Sequence, residues 1–409
     1  VFDPTAGSGS LLLSVGHAFE RTEHTHGKVK YYYQELVKGT YNMCRQNLVM
    51  RGVMPSNMVG RHGDTLDLDY PYFSDEDPDN TYEPVFVDAV VANPPYSQKY
   101  DPELIKESPR FQEYGLPPAS KADYAFLLHG LYHLKNDGVQ VIVLPHGVLF
   151  RNDEAEIRTK LIRKHQIEAI VGLPANVFFG TGIPTCLLIL KKTRTEDDIL
   201  FIDASKGFIK AGNKNKLREA DVQKIVDAYV NRKDIDKFAR LVSYKEIEEN
   251  DFNLNISRYI NSEEDPEKFD AFGLMRGSIP KKELYEKFPL LWEKFPSLYK
   301  DLFDQVNDDY VLLKVEDIIE TINNNEEVKD TKASYKSTID EFAKELKDYI
   351  FDNLFDLDLA NAQFEIKDKL FKKIEDFRLI DDYKAYQEFY TSWIKAELDL
   401  EAIHQDGVE

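Results

Sequence analysis

Residues 90–98, VVANPPYSQ, end a run of apolar β-formers on an amide, two prolines and an aromatic ring. Asn93 offers a side-chain carbonyl oxygen and Pro94 a peptide oxygen, and Pro94 and Pro95 restrict the backbone that directs both acceptors. Tyr96 adds a flat face for stacking. This combination suits a planar ring with an exocyclic amino group, since bonds from both amine hydrogens favour a more nucleophilic nitrogen without a general base. A rigid turn after a strand is the alternative interpretation.

The stretch FDPTAGSG at residues 2–9 places an acid and a glycine-rich turn before a helical pattern. Gly7 and Gly9 let a ligand approach the backbone, and a helix N-terminus offers N–H groups to an anion. Asp3 suits a cationic group such as an amino acid ammonium. The stretch lacks the Lys-Ser/Thr of a P-loop and the third glycine of a dinucleotide fingerprint. A purely structural tight turn is the alternative.

Two further carboxylates follow predicted strands. Glu35 lies near the end of the strand-like stretch KVKYYYQEL and could accept both hydroxyls of a ribose. Asp64 in RHGDTLD is a candidate acceptor for an adenine amino group. Each has the alternative of a surface acid at a strand end. No metal site is expected, because Cys44 and Cys186 are isolated and the histidines show no ligand spacing.

The elements that must position these residues alternate between short apolar strands and helices across residues 1–205. The strands include VFVDAVVANPP, VQVIVLP, IEAIVGLP and TCLLILKK, and DYAFLLHGLYHLKNDG reads as an amphipathic helix. This alternation predicts an α/β fold, a doubly wound and mainly parallel sheet covered on both faces. After residue 260 the pattern changes, and we expect residues 261–409 to be mostly α-helical.

Composition limits the classes of function. The chain has 409 residues and a net charge of −21, and residues 261–409 hold 37 acidic against 20 basic side chains. Because phosphate neutralisation supplies much of nucleic-acid affinity, an acidic chain that acts on nucleic acid would need a partner for much of its grip. Two cysteines are too few for a disulfide framework and indicate a reducing cytoplasm. No apolar run approaches the ~18–20 residues of a membrane span.

DPTAGSG and, about ninety positions later, ANPPYS together resemble the S-adenosylmethionine-dependent amino-methyltransferases. More narrowly, the chain resembles the modification subunits of type I restriction–modification systems, which are DNA adenine-N6 methyltransferases. Supporting stretches are VLPHGVLFR, IEAIVGLPANVFFGTGIPTCLLILKK, FIDASKGF and DFNLNISRYI. The resemblance implies a catalytic domain over residues 1–260, expected to lack its N-terminal part, and an acidic helical region at 261–409 for subunit contacts.

The resemblance also implies a role for each matching residue. The cofactor S-adenosylmethionine would be bound by Asp3, Pro4, Ala6, Gly7, Gly9, Glu35 and Asp64. The target adenine would be received by the catalytic residues Asn93, Pro94, Pro95 and Tyr96. Asp123 would line the same pocket, and Phe179 would be the second aromatic beside the base, with Phe178 as its rival and a core role for both as the alternative.

The expected partners are DNA, a specificity subunit that chooses the sequence, and a restriction subunit that joins for cleavage, with two modification subunits in a complex. Two other functions stay open. One is methyl transfer to a protein glutamine amide, which also carries a planar NH2. The other is a non-catalytic assembly subunit of a DNA-modifying complex with a vestigial pocket.

Overall fold

The structure is a computed structural model of the chain. It describes residues 1–22, 27–67, 70–71, 83–178, 181–262, 270–355 and 357–406. The chain divides into two compact units, Val1–Glu263 and Glu264–Glu409.

The first unit is built on a nine-stranded sheet with a separate two-stranded hairpin. Its strands are β1 (Phe2–Asp3), β2 (Tyr31–Glu35), β3 (Met58–His62), β4 (Val87–Ala92), β5 (Leu134–Pro145), β6 (Ile167–Gly172), β7 (Thr185–Lys191), β8 (Asp198–Asp203), β9 (Ile209–Ala211), β10 (Lys214–Lys216) and β11 (Ala239–Ser243). Its α-helices are α1 (Ser10–Thr22), α2 (Lys38–Met50), α3 (Asp123–Tyr132), α4 (Ala155–Arg163), α5 (Glu219–Asn231) and α6 (Tyr244–Glu249).

The sheet has the order β11-β8-β6-β7-β5-β4-β1-β2-β3. Strands β3, β2, β1, β4 and β5 run parallel to one another, and β6 runs parallel to β8. Strand β7 is antiparallel to both of its neighbours, and β11 is antiparallel to β8. The sheet is therefore mainly parallel, as the alternating pattern predicts.

Helices cover both faces of this sheet. In β6, Ile170 packs into the large core cluster that includes Tyr124 of α3 and Leu161 of α4. The next residue, Val171, points to the other face and packs in a cluster with Ala228 of α5. Side chains that alternate between two buried faces explain why these strands read as continuous apolar runs.

The helix that includes Asp123 differs from its sequence prediction. It is not amphipathic, because every residue from Asp123 to Leu131 is buried. It ends at Tyr132, and the remainder of the predicted segment joins β5, where Leu134 pairs with Val87. Pairing with β4 thus overrides the local helical pattern.

The second unit is mostly helical, as expected, and it also has a small sheet of order β12-β14-β13. The strands are β12 (Ile279–Pro280), β13 (Phe303–Gln305) and β14 (Tyr310–Leu313). The helices are α7 (Ala271–Arg276), α8 (Lys281–Lys287), α9 (Pro289–Lys294), α10 (Pro296–Leu302), α11 (Ile318–Asn324), α12 (Glu326–Asp352), α13 (Leu359–Ile374) and α14 (Asp382–Asp406). None of the helices in the described part of the chain has the length and apolarity that crossing a bilayer requires.

Candidate active site

Four neighbouring parallel strands deliver the predicted site residues to one edge of the sheet. Strand β1 ends at Asp3 and β2 at Glu35, while Asp64 follows β3 and Asn93 follows β4. The carboxyl ends of parallel strands are where open α/β sheets bind ligands. A cavity of about 560 Å³ lies at this edge.

The cavity contains some predicted site residues and others that the sequence did not suggest. Of the predicted residues, it is lined by Pro4, Glu35, Asp64, Asn93, Pro94, Pro95 and Tyr96, and also by Phe178, the rival of Phe179. The additional lining residues are Thr5, Leu36, Val37, Thr65, Gln98, Phe126 and Thr181. Asp3, Ala6, Gly7, Gly9 and Asp123 are not among the lining residues.

The turn at Asn93–Tyr96 is held by a bond between its two ends. The Tyr96 hydroxyl donates to Asn93 Oδ1 over 2.7 Å. Burial raises the pKa of Tyr96 to about 12, so the phenol stays neutral and keeps its proton to donate. Asn93 is exposed at the cavity, whereas Pro94 is buried. A ligand amine that bonds Asn93 Oδ1 must therefore share this oxygen with Tyr96 or displace its hydroxyl.

Asp123 supports this turn through the residue that follows Tyr96. Ser97 has a φ of +53°, an uncommon value for a residue with a side chain, and its N–H donates to Asp123 Oδ1 over 2.7 Å. The other carboxylate oxygen accepts from Arg151 Nη1 over 2.8 Å. Asp123 is fully buried. Its contacts are those of a residue that fixes the backbone after the turn.

Glu35 joins the glycine-rich turn to the second strand. Its Oε2 accepts from the Gly7 N–H over 3.0 Å, and its Oε1 accepts from the Val37 N–H over 2.9 Å. A carboxylate oxygen can accept more than one hydrogen bond, so both oxygens keep capacity for a ligand hydroxyl. Gly7 has a φ of +55°, which glycine adopts at little cost.

Packing against α2 explains why position 9 is a glycine. It has a φ of +80°, and a Cβ at this position would lie 2.9 Å from Cys44 Sγ of α2. The glycine therefore lets the start of α1 approach α2. Cys44 itself is buried and forms no disulfide.

Asp3 lies beneath the cavity floor, where Pro4 and Thr5 form part of the lining. It is 1% exposed, and its Oδ1 accepts from the Thr5 N–H over 2.9 Å. The pKa of Asp3 is raised to about 7, mainly by burial and in part by the nearby charge of Glu35, although the hydrogen bond from the Thr5 N–H lowers it. A cation bound close to Asp3 would favour the ionised carboxylate.

Thr65 links the loop after β3 to the turn after β1. Its hydroxyl donates to the carbonyl oxygen of Pro4, and its own carbonyl accepts from Arg110 Nη1 over 2.9 Å. Next to it, Asp64 Oδ1 accepts from the Leu66 N–H over 2.9 Å. Sequence reasoning missed Thr65, because its partner lies 61 positions away in the chain.

Aromatic and apolar side chains complete the cavity. Phe178 is half-buried, packs against a core cluster and lines the cavity. Phe179 lies outside the described residues, so its assignment stays a prediction. Leu36 and Val37 are 53% and 57% exposed in the lining, and the signal for them was an apolar pair directly after Glu35. Apolar walls with a few polar groups are typical of small-molecule sites.

No group of three His, Cys, Asp or Glu side chains in the described part of the chain could hold a metal ion. The polar side-chain groups in the cavity lining are carboxylates, two amides and hydroxyls. Such a set can bind hydroxyl, amino and ammonium groups.

Known proteins resemble this chain across the first unit. Residues 1–268 match the family model described as N-6 DNA Methylase. A type I restriction enzyme methylase subunit, MpnII of Mycoplasma pneumoniae, is 35% identical over 321 residues, which are 75% of this chain and 57% of that protein. The MjaVII methylase subunit of Methanocaldococcus jannaschii is 33% identical over 285 residues, 66% of this chain and 47% of that protein. The chain thus spans about half the length of these relatives.

A solved structure agrees. The crystal structure of a type I restriction–modification methyltransferase subunit from Streptococcus thermophilus matches with a TM-score of 0.59 and 50% sequence identity, over 64% of this chain and 54% of that one. The predicted fold class is therefore confirmed as a doubly wound, mainly parallel methyltransferase fold of the kind that uses S-adenosylmethionine, with an α-helical C-terminal region. The chain belongs to the N-6 DNA methylase family.

Proposed function

We propose that this chain transfers a methyl group from S-adenosylmethionine to N6 of adenine in DNA, as the modification subunit of a type I restriction–modification complex. One observation carries the proposal. The turn Asn93–Tyr96 opens into the same cavity as Glu35 and Asp64, so an amine acceptor and a nucleoside-like cofactor could meet there. The family match and the relatives described above support methyl transfer to DNA.

The cavity fits the cofactor in size and in donor set. Its volume of about 560 Å³ lies within the range of roughly 300–1,000 Å³ that is usual for ligand pockets. Glu35 would bind the ribose hydroxyls and Asp64 the adenine amino group. Asp3 would favour the methionine ammonium, held by the turn of Pro4, Ala6, Gly7 and Gly9. When bound, S-adenosylmethionine supplies a methyl group on a sulfonium.

The residues of the turn would act on the target base. N6 of adenine cannot be reached inside a duplex, so the nucleotide must leave the stack. Asn93 Oδ1 and the Pro94 carbonyl would accept the two amine hydrogens, and Tyr96 would stack on the ring, opposite Phe178 or Phe179. These contacts orient the nitrogen lone pair toward the methyl group. The proton that the nitrogen loses afterwards passes to water.

The partners follow from the same proposal. A specificity subunit would choose the DNA sequence, a restriction subunit would add cleavage, and two copies of this chain would act in one complex. Residues 1–260 would form the catalytic domain. Residues 261–409, with their excess of acidic side chains, would serve subunit contacts rather than DNA.

Methyl transfer from radiolabelled S-adenosylmethionine to DNA tests the proposal, with and without the cognate specificity subunit. We expect label in the adenine N6 of DNA, and a loss of at least 100-fold with Asn93→Ala, since one acceptor in a preorganised site contributes about 10²–10³ in rate. Asn231→Ala, at the exposed end of α5, is the matched control. Label in protein instead of DNA would indicate a glutamine acceptor, and an absence of cofactor binding would indicate an assembly subunit.

A further inference from the structure

The hairpin of β9 and β10 is fixed to the wall of the candidate active site. Lys214 Nζ donates to the Phe178 carbonyl over 2.6 Å, to Asn176 Oδ1 over 3.1 Å and to the Thr181 carbonyl over 3.2 Å. Phe178 and Thr181 both line the cavity. The Lys214 ammonium thus donates three hydrogen bonds to the loop beside the cavity.

A second pair of bonds strengthens this attachment. The buried Asn215 donates from Nδ2 to the Ala175 carbonyl over 2.6 Å, and its backbone N–H donates to the Asn176 carbonyl over 3.1 Å. Asn176 has a φ of +61°, so the loop that the hairpin holds has an uncommon backbone conformation. The hairpin therefore belongs structurally to the cavity rim.

The charge of this segment is opposite to that of the chain. Residues 205–218, SKGFIKAGNKNKLR, contain five basic residues and no acidic one, although the whole chain has a net charge of −21. A local concentration of cations beside a cavity is the electrostatic signature of a phosphate-binding surface. An acidic chain that acts on DNA needs such a surface where the strand enters.

Two of these cations are available for a ligand. Arg218 pairs with Asp221, Lys206 donates to the Ser262 carbonyl, and Lys214 holds the loop. Lys210 and Lys216 are exposed, and neither has an ion-pair partner within 4.0 Å among the residues that the structure describes. Lys216 lies two positions after Lys214 in β10, so both point to the same face of the hairpin. Lys210 of β9 pairs with Asn215, so it points to the other face.

We propose that the hairpin Ile209–Lys216 binds the phosphate backbone of the DNA next to the target nucleotide, through Lys216 on one face of the hairpin and Lys210 on the other. This inference rests on the proposed function, since it takes DNA as the substrate of the neighbouring cavity. Lys214 acts as a positioning residue that joins the phosphate contacts to the wall around the base. Contacts of this kind fix the register of a strand and carry no sequence information.

The test measures binding of the 409-residue chain to a mixed-sequence DNA duplex between 50 and 200 mM salt. Each lost phosphate contact lowers the steepness of log K against log salt by about 0.9, so Lys210→Gln with Lys216→Gln should lower it by about 1.8. At 0.1 M salt, within this range, affinity should fall by up to ~60-fold, which is a slope change of about 1.8 over the decade below 1 M. Binding of S-adenosylmethionine should not change, because neither lysine lines the cavity.

Lys135→Gln with Lys245→Gln is the matched control, with the same change in charge. Lys135 lies at the start of β5. Lys245 lies in the first turn of α6, which begins directly after Ser243, and Ser243 pairs with the first residue of β8. Both are therefore at the sheet edge opposite the cavity, and their loss should leave the salt dependence unaltered.

Equal salt dependence in the hairpin and control variants would overturn the inference. If the chain alone binds DNA too weakly for the slope to be measured, the same comparison is made with the specificity subunit bound. Failure of the proposed function is a separate result, namely no methyl transfer by the unaltered chain with its specificity subunit. If methyl transfer is normal while the hairpin and control variants show the same salt dependence, only the proposed role of the hairpin is wrong.

Discussion

The hydrogen bond between Tyr96 and Asn93 leads to a prediction that distinguishes the role of the tyrosine hydroxyl from the role of its ring. Its hydroxyl occupies Asn93 Oδ1 at 2.7 Å, the oxygen proposed to receive the target amine. Tyr96→Phe removes this competitor and keeps the ring. A neutral hydrogen bond contributes a net ~0.5–1.5 kcal/mol, so KM for DNA should fall by roughly 2- to 12-fold if the hydroxyl must be displaced. The rate of the chemical step should change little.

Tyr96→Ala removes the ring as well. Stacking on a base contributes about 1–3 kcal/mol, so this variant should raise KM for DNA by roughly 5- to 150-fold. Steady-state methyl transfer, with the specificity subunit present and S-adenosylmethionine saturating, measures both values. A Tyr96→Phe variant as impaired as Tyr96→Ala would refute the reasoning, because the hydroxyl would then be needed for the reaction.

Three other perturbations test the surrounding structure. Burial raises the pKa of Asp3 from 3.8 to about 7, so the folded protein binds this proton more tightly than the unfolded chain does. The protonated carboxyl therefore stabilises the fold at acid pH, and this stabilisation is lost as pH rises through 7. Between pH 4 and 8, the free energy of unfolding in urea should thus fall by on the order of 4 kcal/mol more for the wild type than for Asp3→Asn. Parallel pH profiles of the two proteins would contradict this. Gly9→Ala places a methyl 2.9 Å from a buried sulfur and should destabilise by about 1–3 kcal/mol in the same assay, whereas Gly39→Ala, with open space around its Cβ, should not. Asp123→Asn weakens the charge-assisted bond to the Ser97 N–H and should lower kcat at least tenfold with the Kd for S-adenosylmethionine unchanged, so an equal loss in cofactor binding would argue against a role confined to the turn.

Much of the first unit could be predicted because its strands are short apolar runs between helical patterns. The direction of β7 was not predicted. The connection from β6 to β7 covers only residues 173–184, with no helix among its described residues, whereas the crossover between parallel strands usually contains an α-helix. The predicted C-terminal end of α3 was wrong for a different reason. The helix stops because Leu134 pairs with Val87, and a contact between such distant positions leaves no local signal in the sequence.

Sequence reasoning found the side chains at strand ends, because that position alone brings Glu35, Asp64 and Asn93 together. It missed residues whose partners are distant in the chain. Lys214 bonds a carbonyl 36 positions away, and no local pattern marks that contact. The adjacent rings of Phe178 and Phe179 have the same chemistry, so their order along the chain does not decide which one faces the base.

The proposed reaction is methylation of adenine N6 at this cavity. The most direct measurement is the identity of the methylated nucleoside, after the chain and its specificity subunit have acted on DNA with labelled S-adenosylmethionine. We predict N6-methyladenine from the wild type and from Asn231→Ala, and at least 100-fold less from Asn93→Ala, as one lost acceptor implies. Undiminished N6-methyladenine from Asn93→Ala, or label only in another nucleoside, would contradict the account.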